Sequence, residues 1–156
     1  MSGTRLRHDG AIDRNRPIEF NFDGRTFTGF AGDTLASALL ANGVRIVGRS
    51  FKYHRPRGIW CAGVEEPNAL VDVNDGERNV PNCRATTVHL ADAPGMTVSP
   101  VNANPDVDRD RKAVLDRFAA FIPAAFYYKS FMWPDWHIFE PSIRKAAGLG
   151  RLDPTL

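Results

Sequence analysis

No aspartate or glutamate occurs between Thr34 and Val64. Within that stretch Arg45, Arg49, Lys52, Arg55 and Arg57 stand unopposed by any local carboxylate, with His54 beside them. Long apolar runs are also missing. None approaches the ~20 residues of a membrane-spanning helix, which excludes a helical membrane protein. Cysteine is scarce: Cys61 and Cys83 are the whole supply. Two thiols fit a cytoplasmic protein and exclude a disulfide scaffold, leaving one bridge open. Met1 to Arg16 is polar and arginine-rich, lacks the apolar core of a secretory signal, and reads as a flexible arm. The net charge of +2 is smaller than a general nucleic-acid binder carries. There is no G-x-G-x-x-G; Gly148-Leu149-Gly150 reads as a helix end. The length of 156 residues suits one domain, or one domain with a docking tail.

What is present is a succession of strand and turn signals. Ile18, Phe20 and Phe22 alternate with polar residues over 17–22, which predicts a half-buried strand. Asp23-Gly24 is a two-residue hairpin turn, and Arg25 to Phe30 returns as the second strand. Asp33 is placed to cap a helix over 34–42, whose apolar stripe is Leu35, Ala38, Leu39 and Ala41 and whose end is Asn42-Gly43. Three strands are expected further on, at Ala69 to Val73, Arg84 to Leu90 and Met96 to Pro100, with a turn at Asn74-Asp75-Gly76. A hairpin, a helix crossing its face and later strands in one sheet make an α+β chain of the β-grasp type. Phe20, Phe22, Phe27, Leu35, Leu39, Val71, Val73 and Val88 are the expected core.

The β-grasp unit is expected over 17–101. After it, 102–156 reads as a linker and a helical, aromatic-rich docking extension. Asp108 to Ile122 predicts a helix with Val114, Leu115, Phe118, Phe121 and Ile122 on one face and Asp108 and Asp110 near its positive end. The segment from Phe118 to Phe139 includes Phe126, Tyr127, Tyr128, Phe131, Trp133 and Trp136, interrupted by Pro123 and Pro134. Pro141 follows it, and a short helix is expected over Ser142 to Ala147. So much aromatic surface either folds back on its own domain, which is the expected outcome in part, or docks on another.

The basic run, Arg49-Ser-Phe-Lys-Tyr-His-Arg-Pro-Arg-Gly58, reads as a loop, because Arg55-Pro56-Arg57-Gly58 cannot continue a helix or a central strand. Arg49, Lys52, Tyr53, His54, Arg55 and Arg57 are the candidate residues for a cofactor phosphate or an acidic partner surface. The plainer alternative is a solvated loop lying near Glu65 and Glu66, with Arg49 paired to one of them. Phe51, Tyr53 and Trp60 interleaved with the cations leave a small nucleic-acid-binding module as a rival.

A plant-type [2Fe-2S] loop needs three thiolates spaced C-x4-C-x2-C and a distant fourth. Started at Cys61, that spacing falls on Glu66 and Ala69, and the distant position falls near Cys83 or Arg84. At most two of four thiolates exist, so no cluster is expected. His54, Cys61, Cys83 and His89 show no zinc spacing. Cys61 with His54 is a conceivable nucleophile pair, but a structural thiol beside Trp60 is the simpler reading. Adjacent Glu65 and Glu66 do not make an acid/base pair across a substrate. No catalytic residue and no metal site are assigned.

Several strings resemble one family. Ser50-Phe51-Lys52-Tyr53-His54-Arg55-Pro56-Arg57-Gly58-Ile59, Glu65-Glu66-Pro67-Asn68-Ala69, Phe126-Tyr127-Tyr128-Lys129, Phe131-Met132-Trp133-Pro134 and Ile143-Arg144-Lys145-Ala146-Ala147-Gly148-Leu149-Gly150 are similar to the N-terminal domain of the α subunit of heterotetrameric sarcosine oxidases. The resemblance implies a ferredoxin-like β-grasp domain without its cluster. It implies a parent that oxidises sarcosine and carries FAD, FMN and NAD, with the remaining α domains and the β, γ and δ subunits as partners. No family residue that contacts flavin or NAD is carried over. Related amino-acid dehydrogenases keep the cluster cysteines, which makes an electron-transfer ferredoxin domain the other rival; Glu66 and Ala69 depart from it. The chain is much shorter than these subunits, so a domain inactive by itself is expected.

Overall fold

The structure, a computed structural model, describes residues 5–6, 8–121 and 131–147. Its element order is β1 (Asp13–Phe22), β2 (Arg25–Ala31), α1 (Leu35–Ala41), β3 (Gly48–Arg49), β4 (Pro56–Arg57), β5 (Leu70–Asn74), β6 (Asn79–Arg84), β7 (Thr97–Pro100), a 3-10 helix at Arg111–Phe121, and a second α-helix, α2, at Trp136–Ala147. The main sheet has five strands in the order β2-β1-β7-β5-β6. β1 and β7 are its parallel pair, and the other pairings are antiparallel. This is the β-grasp arrangement expected from the order of elements.

The β1–β2 hairpin turns at Asp23-Gly24, where both residues have positive φ. Two consecutive residues in that region are what a tight primed turn requires. The hairpin sets Phe20 opposite Phe27, with ring centroids 5.9 Å apart. Its other consequence is to place Gly29 under the helix. A methyl group there would lie 2.3 Å from Leu90 Cδ1 and 3.0 Å from Ala38 Cβ. The missing side chain is what lets α1 lie close on the sheet. Leu35, Ala36, Ala38 and Leu39 are the buried face of α1. They join Phe20, Phe22, Val71 and Val73 in one core, with Phe27 and Val88 packed against it. All eight expected core residues are therefore in the cluster or on its margin. Leu90, Met96, Val98 and Val47 also belong to it.

Several boundaries differ from expectation. β1 begins at Asp13, not Pro17, and Arg5 is anchored by a forked pair to Asp33, at 3.0 and 2.8 Å. The helix cap is Thr34, whose side chain accepts from Ser37 N. Asp33 is instead buried, accepting from Phe30 N and Ser37 Oγ as well as Arg5. Burial pushes its carboxyl up, but these bonds and the guanidinium charge outweigh it and hold it below the usual range. The strand expected over 84–90 lies earlier, at Asn79–Arg84. Residues 85–90 serve the helix instead. Ala85 O and Val88 O accept from Ala36 N and Leu35 N, satisfying open N–H groups at the start of α1. Pro81 hid the real strand. It sits at a bulge on the edge strand β6, between the pairings Val73↔Val80 and Val71↔Cys83, where its missing N–H costs nothing.

The extension also departs from the pattern. Arg111–Phe121 is a 3-10 helix with no buried residue, and Val114, Phe118 and Phe121 are exposed. α2 starts at Trp136 and carries Pro141 inside it, where a break was expected. Phe131 packs on Phe139, but Met132, Trp133 and Ile138 are exposed. Among the described residues these side chains do not pack on the sheet. Ile122, the Phe126-Tyr127-Tyr128-Lys129 string and the Gly148 helix end lie outside the described residues.

Candidate functional site

The basic run is not a loop throughout. Gly48–Arg49 and Pro56–Arg57 pair as a two-stranded antiparallel ribbon, with Gly48 opposite Arg57 and Arg49 opposite Pro56. Such short strands tolerate proline at an edge. Between them, Ser50 to Arg55 closes the turn: His54 N donates to Ser50 O, and Ser50 N donates to Arg55 O. His54 takes a positive φ there, and its side chain is buried.

Three of the six site residues, Arg49, His54 and Arg55, point at the chain's own extension. Arg49 donates through Nε to Val107 O at 2.9 Å, again to Val107 O through its Nη2, and through Nη1 to His54 O at 3.0 Å. The expected pairing of Arg49 with Glu65 or Glu66 is replaced by these carbonyl contacts. His54 Nδ1 lies 2.6 Å from Asp110 Oδ2, with both side chains buried. Arg55 Nε meets Asp116 Oδ1 at 2.6 Å, half exposed. Asn102 Nδ2 donates to Arg49 O, and Val107 N to Asp23 Oδ2. Asp110 and Asp116 thus supply carboxylates missing from 34–64. The sequence pattern places Asp108 and Asp110 at a helix start; with Arg109, Arg111 and Lys112 interleaved, 106–116 is nearly charge-balanced, and no block of charge marks Asp110 and Asp116 as partners of the ribbon.

Tyr53 offers its ring to two cations: Lys52 Nζ and Arg55 Cζ each lie 4.7 Å from its centroid. Arg57 donates to the neutral Asn68 Oδ1. Arg49, Ser50, Phe51, Arg57, Asn68 and Asn102 line part of one cleft of about 230 Å³. The six candidate residues are thus brought onto one ribbon, with Arg49 and Arg57 lining the cleft and His54 and Arg55 engaged with the extension.

The neighbouring segment 60–69 is built around Glu66. Its side chain is 1% exposed. Oε2 accepts from Trp60 N at 2.7 Å and Cys61 N at 2.6 Å; Oε1 accepts from Asn68 N at 2.7 Å and Ala69 N at 3.0 Å. Burial pushes this carboxyl up, yet the four N–H groups overwhelm that effect and bring it from 4.5 to about 2. Glu66 therefore serves its own loop and does not balance the basic run. Thr86 reaches the same loop from just past β6, its hydroxyl donating to Gly63 O at 2.8 Å.

The thiols are not activated. Desolvation pushes Cys61 up, and the charges of Glu65 and Glu66 add to it against a single backbone bond at Gly63. Burial and Asp72 push Cys83 up, and its Sγ turns to Val80 O. A thiol so placed stays protonated and makes a poor nucleophile. Among the described residues no group of three or more His, Cys, Asp or Glu side chains could hold a metal ion. Nor is any helix among them long and apolar enough to cross a membrane.

Sheet order, crossing helix and a ligand-type loop between β4 and β5 define a ferredoxin-like β-grasp domain. Residues 15–103 match the profile of the 2Fe-2S iron-sulfur cluster binding domain family, and the chain belongs to that family. It is 53% identical over 154 residues, 97% of its length, to the sarcosine oxidase subunit alpha of Rhizobium meliloti (strain 1021). It is 44% identical over 90 residues, 56% of its length, to the same subunit of Corynebacterium sp. (strain U-96). The likeness to sarcosine oxidase α subunits read from the sequence thus extends across nearly the whole chain. The chain spans 15% and 9% of the lengths of these two relatives. L-proline dehydrogenase from P. horikoshii overlays 60% of this chain and 17% of its own, at 23% identity and a TM-score of 0.44.

The family's description raises the question of a cluster. The C-x4-C-x2-C spacing falls on Cys61, Glu66 and Ala69. Glu66 already uses the inward N–H groups, and Ala69 is fully buried with only a methyl group to offer. From the β6 side Thr86 reaches the loop through its side chain and Ala85 through its N–H, on Ala69 O, while Cys83 bonds elsewhere. One thiol, a carboxylate, a methyl and a hydroxyl do not fit a [2Fe-2S] centre, which takes four thiolates or two with two histidines.

Proposed function

We propose that this chain is a scaffold and interaction domain of a sarcosine oxidase α subunit, an oxidoreductase whose chemistry lies outside these residues. The parent would oxidise sarcosine using FAD, FMN and NAD, with the other α domains and the β, γ and δ subunits as the partners of this domain. The observation that carries the reading is the clasp between the basic ribbon and residues 107–116 of the extension. Arg49 on Val107 O, His54 on Asp110 and Arg55 on Asp116 fix where the chain goes after the β-grasp sheet. Beyond that clasp the chain presents Phe118, Phe121, Met132, Trp133 and Ile138 to solvent. Apolar side chains held outward on an anchored arm are what a docking surface requires. The cleft beside Arg49 and Arg57 would seat an acidic group of the partner or a cofactor phosphate.

The experiment that tests this is the double change Phe121→Ser and Trp133→Ser in the full α subunit, co-expressed with its partners. Both side chains are more than four-fifths exposed, so the fold should keep its melting temperature. Subunit assembly or flavin content should fall. A complex that assembles normally with full flavin and NAD content would overturn the reading.

A further inference from the structure

We propose that the Glu66 carboxylate is a resident anion that has taken the structural place of an iron–sulfur cluster, so that loop 60–69 forms without iron and takes none up. The inference stands on loop geometry and does not depend on the docking role.

Four backbone N–H groups from two separate stretches, 60–61 and 68–69, converge on the two oxygens of one side chain. Convergent N–H groups form an anion-binding concavity of the kind that also surrounds Fe–S sites. The occupant here is covalently part of the chain. Its position in sequence is the second ligand position of the C-x4-C-x2-C spacing. The third ligand position, Ala69, donates its own N–H to the same carboxylate and is fully buried. The distant segment still closes on the loop, but through Thr86, whose hydroxyl caps Gly63 O. Three of the four corners therefore carry groups that cannot ligate iron as thiolates do, and all three are packed or bonded. Only Cys61 keeps a thiol, and Cys83, the other cysteine, bonds within its own strand. The carboxyl's depressed pKa agrees with an ionised group held by these donors. One negative charge among N–H donors suffices to shape the loop, whereas a cluster would also bring redox chemistry; this loop keeps the shape alone.

The test uses the full chain in two arms. In the first, wild type and the triple variant Glu66→Cys, Ala69→Cys and Thr86→Cys are treated anaerobically with ferric iron and sulfide, then desalted. Iron, labile sulfide and the low-temperature EPR signal after dithionite are measured. Wild type should retain no stoichiometric iron and give no signal. The triple variant, which restores four cysteines with Cys61, should gain both. Stoichiometric iron and sulfide in wild type would overturn the proposal, as would an iron-free triple variant that has kept native circular dichroism. The second arm keeps the proposal testable should the triple variant not fold. Glu66→Gln preserves size but turns an amide NH2 toward two of the four N–H donors. Hydrogen exchange should accelerate at least tenfold at neutral pH at Cys61 or at Asn68 and Ala69, whichever side the NH2 faces, while exchange in β1 changes far less. Unchanged exchange at those three amides would show that the anion does not hold the loop.

Discussion

His54 on the basic ribbon and Asp110 on the extension lie 56 positions apart in sequence and meet at 2.6 Å, both side chains buried. The bond closes the clasp from inside, because Asp110 also accepts from Asn104 N and Lys112 N through its other oxygen. Asp110→Ala would leave the buried imidazole N–H and two backbone donors without their acceptor. A buried unpaired polar group costs about 1–3 kcal/mol. We expect a loss at the upper end of that range in urea unfolding, and faster hydrogen exchange over 102–121 than over the sheet. A loss below about 0.5 kcal/mol would be typical of an ordinary surface change and would mean the pair does not hold the extension.

Gly29 offers a test of the fold itself. Leu90 is fully buried, so it cannot swing out of the way of a methyl group built 2.3 Å from its Cδ1. Gly29→Ala should cost about 1–3 kcal/mol by overpacking, despite the better strand propensity of alanine. Pairing it with Leu90→Ala should recover part of the loss. Melting temperatures of the two single variants and the double variant decide this; strictly additive losses would place Leu90 elsewhere.

Glu66 gives the stability a recognisable pH dependence. Its folded pKa of about 2 lies below the ordinary 4.5. A depressed carboxyl pKa contributes stability that is complete above the unfolded value and is lost as pH falls through the folded one. The gap between wild type and Glu66→Gln should therefore be constant from about pH 6 to 8, where we expect on the order of 1–3 kcal/mol. It should shrink between about pH 4.5 and 2. A gap independent of pH over that window would mean the carboxylate is not ionised in the fold.

The hairpin, α1 and the core were legible because their signals are local: strand alternation, an Asp23-Gly24 turn and an apolar stripe at helical spacing. β6 was not, because Pro81 and the polar residues around it are permitted at a bulged edge and nothing local announces an edge. The basic run was read correctly as a concentration of charge and incorrectly as to its neighbours. Its nearest carboxylates in sequence, Glu65 and Glu66, were the natural partners to consider, whereas Asp110 and Asp116 are its partners in space. Nor could spacing alone tell that Glu66 turns inward to backbone donors or that Thr86, not Cys83, reaches the loop. Both depend on how β5 and β6 are registered, a long-range property. The 3-10 helix at 111–121 kept its apolar side chains exposed because no element among the described residues buries them.

The cations of the ribbon should divide by what they touch. Arg49 donates three bonds to two carbonyls and is part-buried, so Arg49→Ala should cost about 1–3 kcal/mol and loosen residues 102–121. Arg55 makes an exposed ion pair with Asp116, and Arg57 an exposed bond to Asn68. Exposed pairs contribute about 0–1 kcal/mol, so Arg55→Ala with Arg57→Ala should leave the domain folded. In the full α subunit, however, the double change removes the cleft-lining Arg57 guanidinium, which an acidic partner surface or a cofactor phosphate would engage, and the Arg55–Asp116 pair that helps set the extension. We expect weaker subunit assembly or reduced cofactor retention, with the melting temperature of this domain nearly unchanged. Normal assembly with full flavin and NAD content would leave these two arginines as solvated surface, and the ribbon would then serve only through Arg49 and His54.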